Sequence, residues 1–176
     1  FSTFAEAPTV QDAVLIDFSR PELLPGLLAY ATAQRLPAVL ATTGYSVAQE
    51  ALARDDLYVC EQDGRVVASG IINQRQVDVY ADGNWLFSAP DDKVMVLHTL
   101  TVDPDCSGRG IGRAFAQFYE QLARDAGCAV LRIDTNERNT AARHLYASLG
   151  YREADIVTCD FNRIPAIHLV LLEKKL

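Results

Sequence analysis

A chain of 176 residues, 49% of them hydrophobic, can bury one sizeable core, and two full domains would be cramped in it. Acidic residues outnumber basic ones 23 to 16, a formal net charge of -7 that argues against a general binder of nucleic-acid backbones. With no bilayer-length apolar run and four scattered cysteines (Cys60, Cys106, Cys128, Cys159) lacking any Cys-x-x-Cys pair, the expectation is a soluble cytoplasmic protein with reduced thiols, no membrane partner and no metal.

No repeat, low-complexity stretch or Gly/Ser linker interrupts residues 1–176, which read as a single domain. A short strand is expected near Thr3 to Ala7, after which the N-terminal third looks helical. Leu23, Leu24, Leu27, Leu28 and Ala31 recur at helical spacing between Pro21 and Gln34, with Ser19 as a start signal. Ser46, with Gln49 three residues on, predicts a second helix through Ala53. Strands from Leu57 to Glu61 and from Arg65 to Asn73 flank Asp63-Gly64, a pair that tolerates the positive φ angles of a tight hairpin turn. The polar stretch from Asp78 to Asp92 holds the single tryptophan and reads as an excursion near a substrate entrance. Its Asp78, Asp82, Asp91 and Asp92 favour a cationic group there.

Val94 to Val102 is an apolar strand closed by Asp103-Pro104, because proline cannot donate to a ladder. A helix follows from about Gly110 to Ala126, its apolar stripe read as Ala114, Phe115, Phe118, Leu122 and Ala123, with Gly127 as its stop. Cys128 to Asp134 is a further strand, Asn139 to Leu149 a short helix closed by Gly150, and Tyr151 to Thr158 with Ala166 to Leu172 a final strand pair. This mixture places the fold in the α+β or mixed α/β class.

Two segments carry chemistry. In Ser107-Gly108-Arg109-Gly110-Ile111-Gly112-Arg113, a strand gives way to a glycine-rich turn and a helix start. Unpaired backbone N–H groups then converge at the positive end of the helix dipole, which suits a pyrophosphate, and Arg109 and Arg113 add positive charge. A dinucleotide fingerprint, Gly-x-Gly-x-x-Gly, fails in both registers, ending on Arg113 or on Phe115, and no Gly-Lys-Ser/Thr tripeptide exists for a P-loop. A nucleotide-binding regulatory domain is therefore disfavoured; for the glycines alone, a plain turn without ligand is the alternative. Further along, Asn139, Ala142 and Tyr146 share one helical face, although Tyr146 by itself reads as readily as a core aromatic.

Together the two segments resemble the GNAT superfamily of acyl-CoA-dependent N-acyltransferases. Its loop pattern Gln/Arg-x-x-Gly-x-Gly/Ala is met from Ser107 to Gly112 except that Ser107 replaces Gln or Arg. Its Asn-x-x-Ala-x-x-x-Tyr is met by Asn139, Ala142 and Tyr146, and Leu149-Gly150-Tyr151 looks like its Leu-Gly-Phe/Tyr. The resemblance implies an α+β fold: a central twisted, mostly antiparallel sheet of about six to seven strands with a splayed central pair, flanked by about four helices. It implies a cofactor-binding core at about 94–151 and transfer of acetyl from acetyl-CoA to a primary amine of a small molecule, peptide or protein, by direct attack in a ternary complex. Leu100, Thr101 and Val102 would meet the pantetheine arm, the Leu100 amide would polarise the acetyl carbonyl, and residues 107–113 would hold the pyrophosphate. Asn139 and Ala142 would line the groove, and Tyr146 would stand near the sulfur as general acid.

The general base is open. His98, read as sharing a strand face with Leu100, has the right intrinsic pKa, while Asp134, Glu137 or a water chain would serve as well. Asp134, at a strand end, reads more readily as a cap that orients the following loop. A non-catalytic acyl-CoA binding or sensing module is the alternative function, and a homodimer is the commoner state for a small enzyme.

Overall fold

A computed structural model describes residues 15–17, 23–35, 38–40, 54–161 and 164–176, and its contacts divide the chain into two units, 1–57 and 58–176. In the first unit, strands β1 (Leu15–Asp17) and β2 (Ala38–Leu40) pair in parallel, with helix α1 (Leu24–Gln34) between them in sequence. These two strands were not expected in a region read as helical. Pro25 sits in the first turn of α1, where its missing N–H removes a donor that no helical carbonyl could have met. Leu27 and Ala31, four apart, are buried. The strand expected at Thr3 to Ala7 and the helix expected from Ser46 to Ala53 lie outside the described residues.

The second unit is a six-stranded sheet in the order β3-β4-β5-β6-β8-β7, formed by β3 (Leu57–Gln62), β4 (Arg65–Asn73), β5 (Val94–Val102), β6 (Val130–Asn136), β7 (Arg152–Phe161) and β8 (Ile164–Lys175). Pairs β4–β5, β6–β8 and β7–β8 are antiparallel and β5–β6 is parallel. Helices α2 (Ile111–Asp125) and α3 (Thr140–Ser148) complete it. Three α-helices are thus found among the described residues, against about four expected. No described helix is long and apolar enough to cross a membrane.

Alternation along the central strands explains how both sheet faces become dry. Met95, Leu97, Leu131, Ile133, Val170 and Leu172 pack with Phe115, Ala116, Tyr119 and Ala123 of α2 and with Tyr146 of α3. Their neighbours Val94, Val96, Val130, Leu169 and Leu171 face the other way and pack with Tyr80, Trp85 and Phe87. A strand buried on both sides is apolar at every position, and Val94 to Leu97 are all at most 6% exposed. Each such side chain contributes about 1.5–3 kcal/mol. The buried stripe of α2 is Phe115, Ala116, Tyr119 and Ala123; Phe118, read as core, is 46% exposed. The helix is rotated from the expected stripe because the Tyr119 hydroxyl finds carbonyls inside, donating to Met95 at 2.6 Å with that of Arg132 at 3.1 Å.

Residues 78–92 cover the second sheet face rather than forming an open loop. Short 3-10 turns begin and end the excursion, at Asp78–Asp82 and Asp91–Lys93. Its fastening is polar: the fully buried Glu173 carboxylate accepts from the amides of Leu86 at 2.9 Å and Phe87 at 3.1 Å and pairs with Arg152. The Arg132 guanidinium lies 4.0 Å from the Trp85 ring centroid and donates to Gln76.

Candidate active site

The parallel pairing of β5 with β6 runs from Val94↔Val130 to Leu97↔Ile133 and goes no further. Beyond that point β5 stays with β4 as far as Val102↔Ala68, while β6 stays with β8 as far as Asn136↔Leu169. The two strands therefore part, and a cleft of about 260 Å³ opens between them. His98, Leu100, Asp134, Asn139, Ala142 and Tyr146 are among its lining residues. Residues 42 positions apart in sequence, Leu100 and Ala142, thus meet at one opening.

A bulge changes which way β5 presents its side chains. Ile71 pairs with His98 but Ser69 pairs with Thr101, so β5 holds one extra residue, and Thr99 takes a left-handed φ of 50°. His98 follows Ile71 to the face covered by the excursion, whereas Leu100 and Val102 pack against the α2 side. The expectation that His98 and Leu100 share a face fails for this reason: one inserted residue shifts the two-residue alternation by a step. The His98 Nε2 lies 3.1 Å from the Arg75 carbonyl and 3.2 Å from Asn73 Oδ1. A carbonyl only accepts, so this nitrogen carries the proton in that contact.

Past Val102, Asp103 accepts from the Asp105 amide and closes a 3-10 turn over Pro104–Cys106. The glycine loop follows, with residues 107–110 exposed. Gly108 and Gly110 have φ of 75° and 81°, and a Cβ added to either would meet nothing within 4 Å. The Ser107 amide is spent on the Pro104 carbonyl at 3.1 Å, and the next amide to find an acceptor is that of Ala114, which donates to the Gly110 carbonyl at 2.9 Å. Among the described residues, the amides from Gly108 to Arg113 have no protein acceptor. Open space, unspent donors and the positive end of a helix of 15 residues fit a phosphate-bearing ligand. Arg109 is exposed and has no ion-pair partner among the described residues. The Arg113 guanidinium instead donates to Ser148 Oγ at 2.7 Å, tying α2 to α3.

Asn139 caps α3, its side chain accepting from the Ala142 amide at 3.1 Å. One turn further on, Tyr146 is 4% exposed and lines the cleft. Burial, reinforced by the charge of Asp134, pushes its phenol up to about 12, so it keeps its proton at any physiological pH. Asp134 does not cap the following loop. It lines the cleft and accepts a 2.8 Å hydrogen bond from the Tyr80 hydroxyl. Burial raises its carboxyl, opposed by the Tyr80 hydrogen bond and by His98. Glu137, the third residue named as a possible base, lies instead beside His168, 3.5 Å from its Nδ1, in a separate polar depression. Tyr80 was missed from sequence; the available signal was Val77, Val79, Tyr80, Trp85 and Phe87 inside a stretch that is otherwise polar. Among the described residues, no group of three or more His, Cys, Asp or Glu is placed to hold a metal ion.

Comparison with known proteins adds to this geometry. The family model described as Acetyltransferase (GNAT) family matches residues 27–151, well over half of the chain. An uncharacterized N-acetyltransferase of Methanocaldococcus jannaschii is 30% identical over 103 residues, 58% of this chain and 42% of that protein. The [ribosomal protein bS18]-alanine N-acetyltransferase of Escherichia coli K12 is 38% identical over 60 residues, 34% of this chain and 40% of that one. The chain thus spans less than half the length of these curated relatives. Among solved structures, the Escherichia coli ribosomal-protein-S18-alanine N-acetyltransferase superposes with a TM-score of 0.55 at 22% identity, over 88% of each chain. A GNAT family acetyltransferase from Elizabethkingia anophelis with acetyl-CoA bound gives 0.54 at 17% identity, over 74% of this chain and 84% of that one. At these identities the likeness is one of fold.

Proposed function

Since this chain belongs to the acetyltransferase (GNAT) family, we propose that it moves an acetyl group from acetyl-CoA to a primary amine by direct attack in a ternary complex. Residues 1–176 act as one acetyltransferase domain in this reading, supported by a family match that crosses from the first unit into the second. The observation that carries it is the row of unspent amides from Gly108 to Arg113 at the end of a strand that has just parted from its neighbour. The coenzyme supplies an activated acetyl group and, once that group has gone, a thiol. Everything else falls to the protein.

The amides from Gly108 through the first turn of α2 hold the diphosphate, with Arg109 as the flanking cation, while Ser107, whose own amide is given to the Pro104 carbonyl, borders the loop without donating. Leu100, Thr101 and Val102, on a strand edge freed by the splay, align the pantetheine arm. The Leu100 amide, displaced by the bulge, polarises the acetyl oxygen; one such donor is worth about 3 kcal/mol. Asp134 takes the proton that the attacking amine must lose, and Tyr146 gives its phenolic proton to the departing sulfur. The two roles match their surroundings: a carboxyl raised by burial is a better proton acceptor, and a phenol at about 12 arrives protonated. Asp134 and His98 both line the cleft, and Asp134 is taken as the acceptor because one of its oxygens lies outside the Tyr80 bond, whereas His98 is engaged by the Arg75 carbonyl and by Asn73. Because Asp134 is the only carboxylate among the described lining residues, the cleft suits a cationic amine. The alanine N-terminus acted on by the bS18 relative therefore belongs in the first panel of acceptors.

The test has two parts. Acetyl-CoA at a hundredfold its Kd stabilises a folded protein by about 2.7 kcal/mol, a rise in Tm of roughly 5–10 °C for a chain of this size. Thiol release is then measured across small polyamines, lysine and peptides with free N-termini. No Tm shift at saturation would refute the binding site. A shift with no thiol release from any amine would leave only the acyl-CoA binding module.

A further inference from the structure

We propose that Tyr80 is a positioning residue for the proton acceptor of this site: its phenol fixes one oxygen of Asp134 and leaves the other to meet the amine. The inference rests on the assignment of Asp134 as the base. Tyr80 and Asp134 are 54 positions apart, and nothing in either segment alone announces the contact. The tyrosine is 2% exposed and its hydroxyl lies 2.8 Å from Asp134 Oδ2. Such a donor stabilises the charged form of a carboxylate and holds its plane.

The excursion is built to keep that hydroxyl in place. The Trp85 indole Nε1 donates to the Tyr80 carbonyl at 2.7 Å, and the two rings meet edge to face with centroids 5.3 Å apart. Arg132 stacks on the other partner of that pair, Trp85, and Glu173 ties down the next two amides. Val130, Arg132 and Asp134 alternate onto one face of β6, so the same strand that carries the acid also carries the guanidinium that clamps its donor. The groups facing Asp134 are Tyr80 from the excursion, His98 from β5, Tyr146 from α3 and Cys159 from β7. Of these, His98 and the Tyr80 bond pull its proton affinity down, and burial holds it up.

The test reads the ionisation of Asp134 directly, by carboxyl-carbon NMR titration of the full chain, with D134N identifying the resonance. In Y80F the midpoint should rise by about one unit, the effect of losing one hydrogen bond to the charged form. Replacing Tyr80 with difluorotyrosine, which keeps the ring and strengthens the donor, should move the midpoint down. A purely structural role would lower Tm in Y80F and leave the midpoint where it was. An unmoved midpoint in either variant overturns the proposal, and the second variant decides it if Y80F does not fold. Failure of the underlying reading looks different: D134N would then turn over the amine panel at the wild-type rate, whatever the titration shows.

Discussion

Gly110 offers the sharpest separation of folding from ligand binding, because a matched control exists in the same chain. Gly110 has φ of 81° and Gly64, in the hairpin turn between β3 and β4, has φ of 75°. An added Cβ meets nothing within 4 Å at either position. Alanine at each should therefore cost only the left-handed penalty, about 1 kcal/mol, and lower Tm by roughly 2–4 °C. The two variants part company when acetyl-CoA is added. At Gly110 the methyl projects from a loop whose amides are unspent, and holding a phosphate off one such donor forfeits about 1.5–3 kcal/mol. That is roughly a ten- to hundredfold loss of affinity, while G64A should bind as wild type. Calorimetric Kd values for acetyl-CoA, with Tm measured without ligand, check both halves. Equal Kd in G110A and G64A would refute the assignment of the loop, since the backbone penalty is common to both.

Y146F should reduce kcat about a hundredfold, the lower end of what a positioned acid supplies, with the Kd for acetyl-CoA unchanged; single-turnover thiol release measures it. D134N should abolish most turnover yet raise Tm at neutral pH. A carboxyl raised by burial stabilises the fold only while protonated, below its unfolded pKa, and that contribution is lost as pH rises through the folded value. The difference in Tm between D134N and wild type should accordingly shrink as pH falls, which a melting series across pH will show. Y119F removes the hydroxyl that faces the carbonyls of Met95 and Arg132, on the two strands just below the splay. A buried loss of this kind costs about 1.5 kcal/mol, a fall of roughly 3–6 °C in Tm by scanning calorimetry.

Local chemistry was written plainly in the chain. Asp63-Gly64 specified its hairpin because both residues must take positive φ, 53° and 75° in the fold, and few other pairs do so without strain. The glycine loop, the start of α2 and the Asn139 cap were legible for the same reason: each depends on residues within a few positions of one another. The apolar run from Val94 likewise announced a strand, which the fold covers on both faces.

Tertiary structure decided what depends on pairing between distant segments. Thr99 carries no sign in sequence that it will adopt φ of 50°; its bulge exists because β4 and β5 meet in shifted register, and that shift sends His98 and Leu100 to opposite faces. Insertion of β8 between β6 and β7 placed Glu173 under the excursion and turned a polar stretch into a cover. Only then could Tyr80 reach Asp134, changing that acid from an expected loop cap into a lining residue of the cleft. Turns and caps are settled by short-range sterics and hydrogen bonds, whereas the partners of a buried carboxyl are settled by which strands end up side by side.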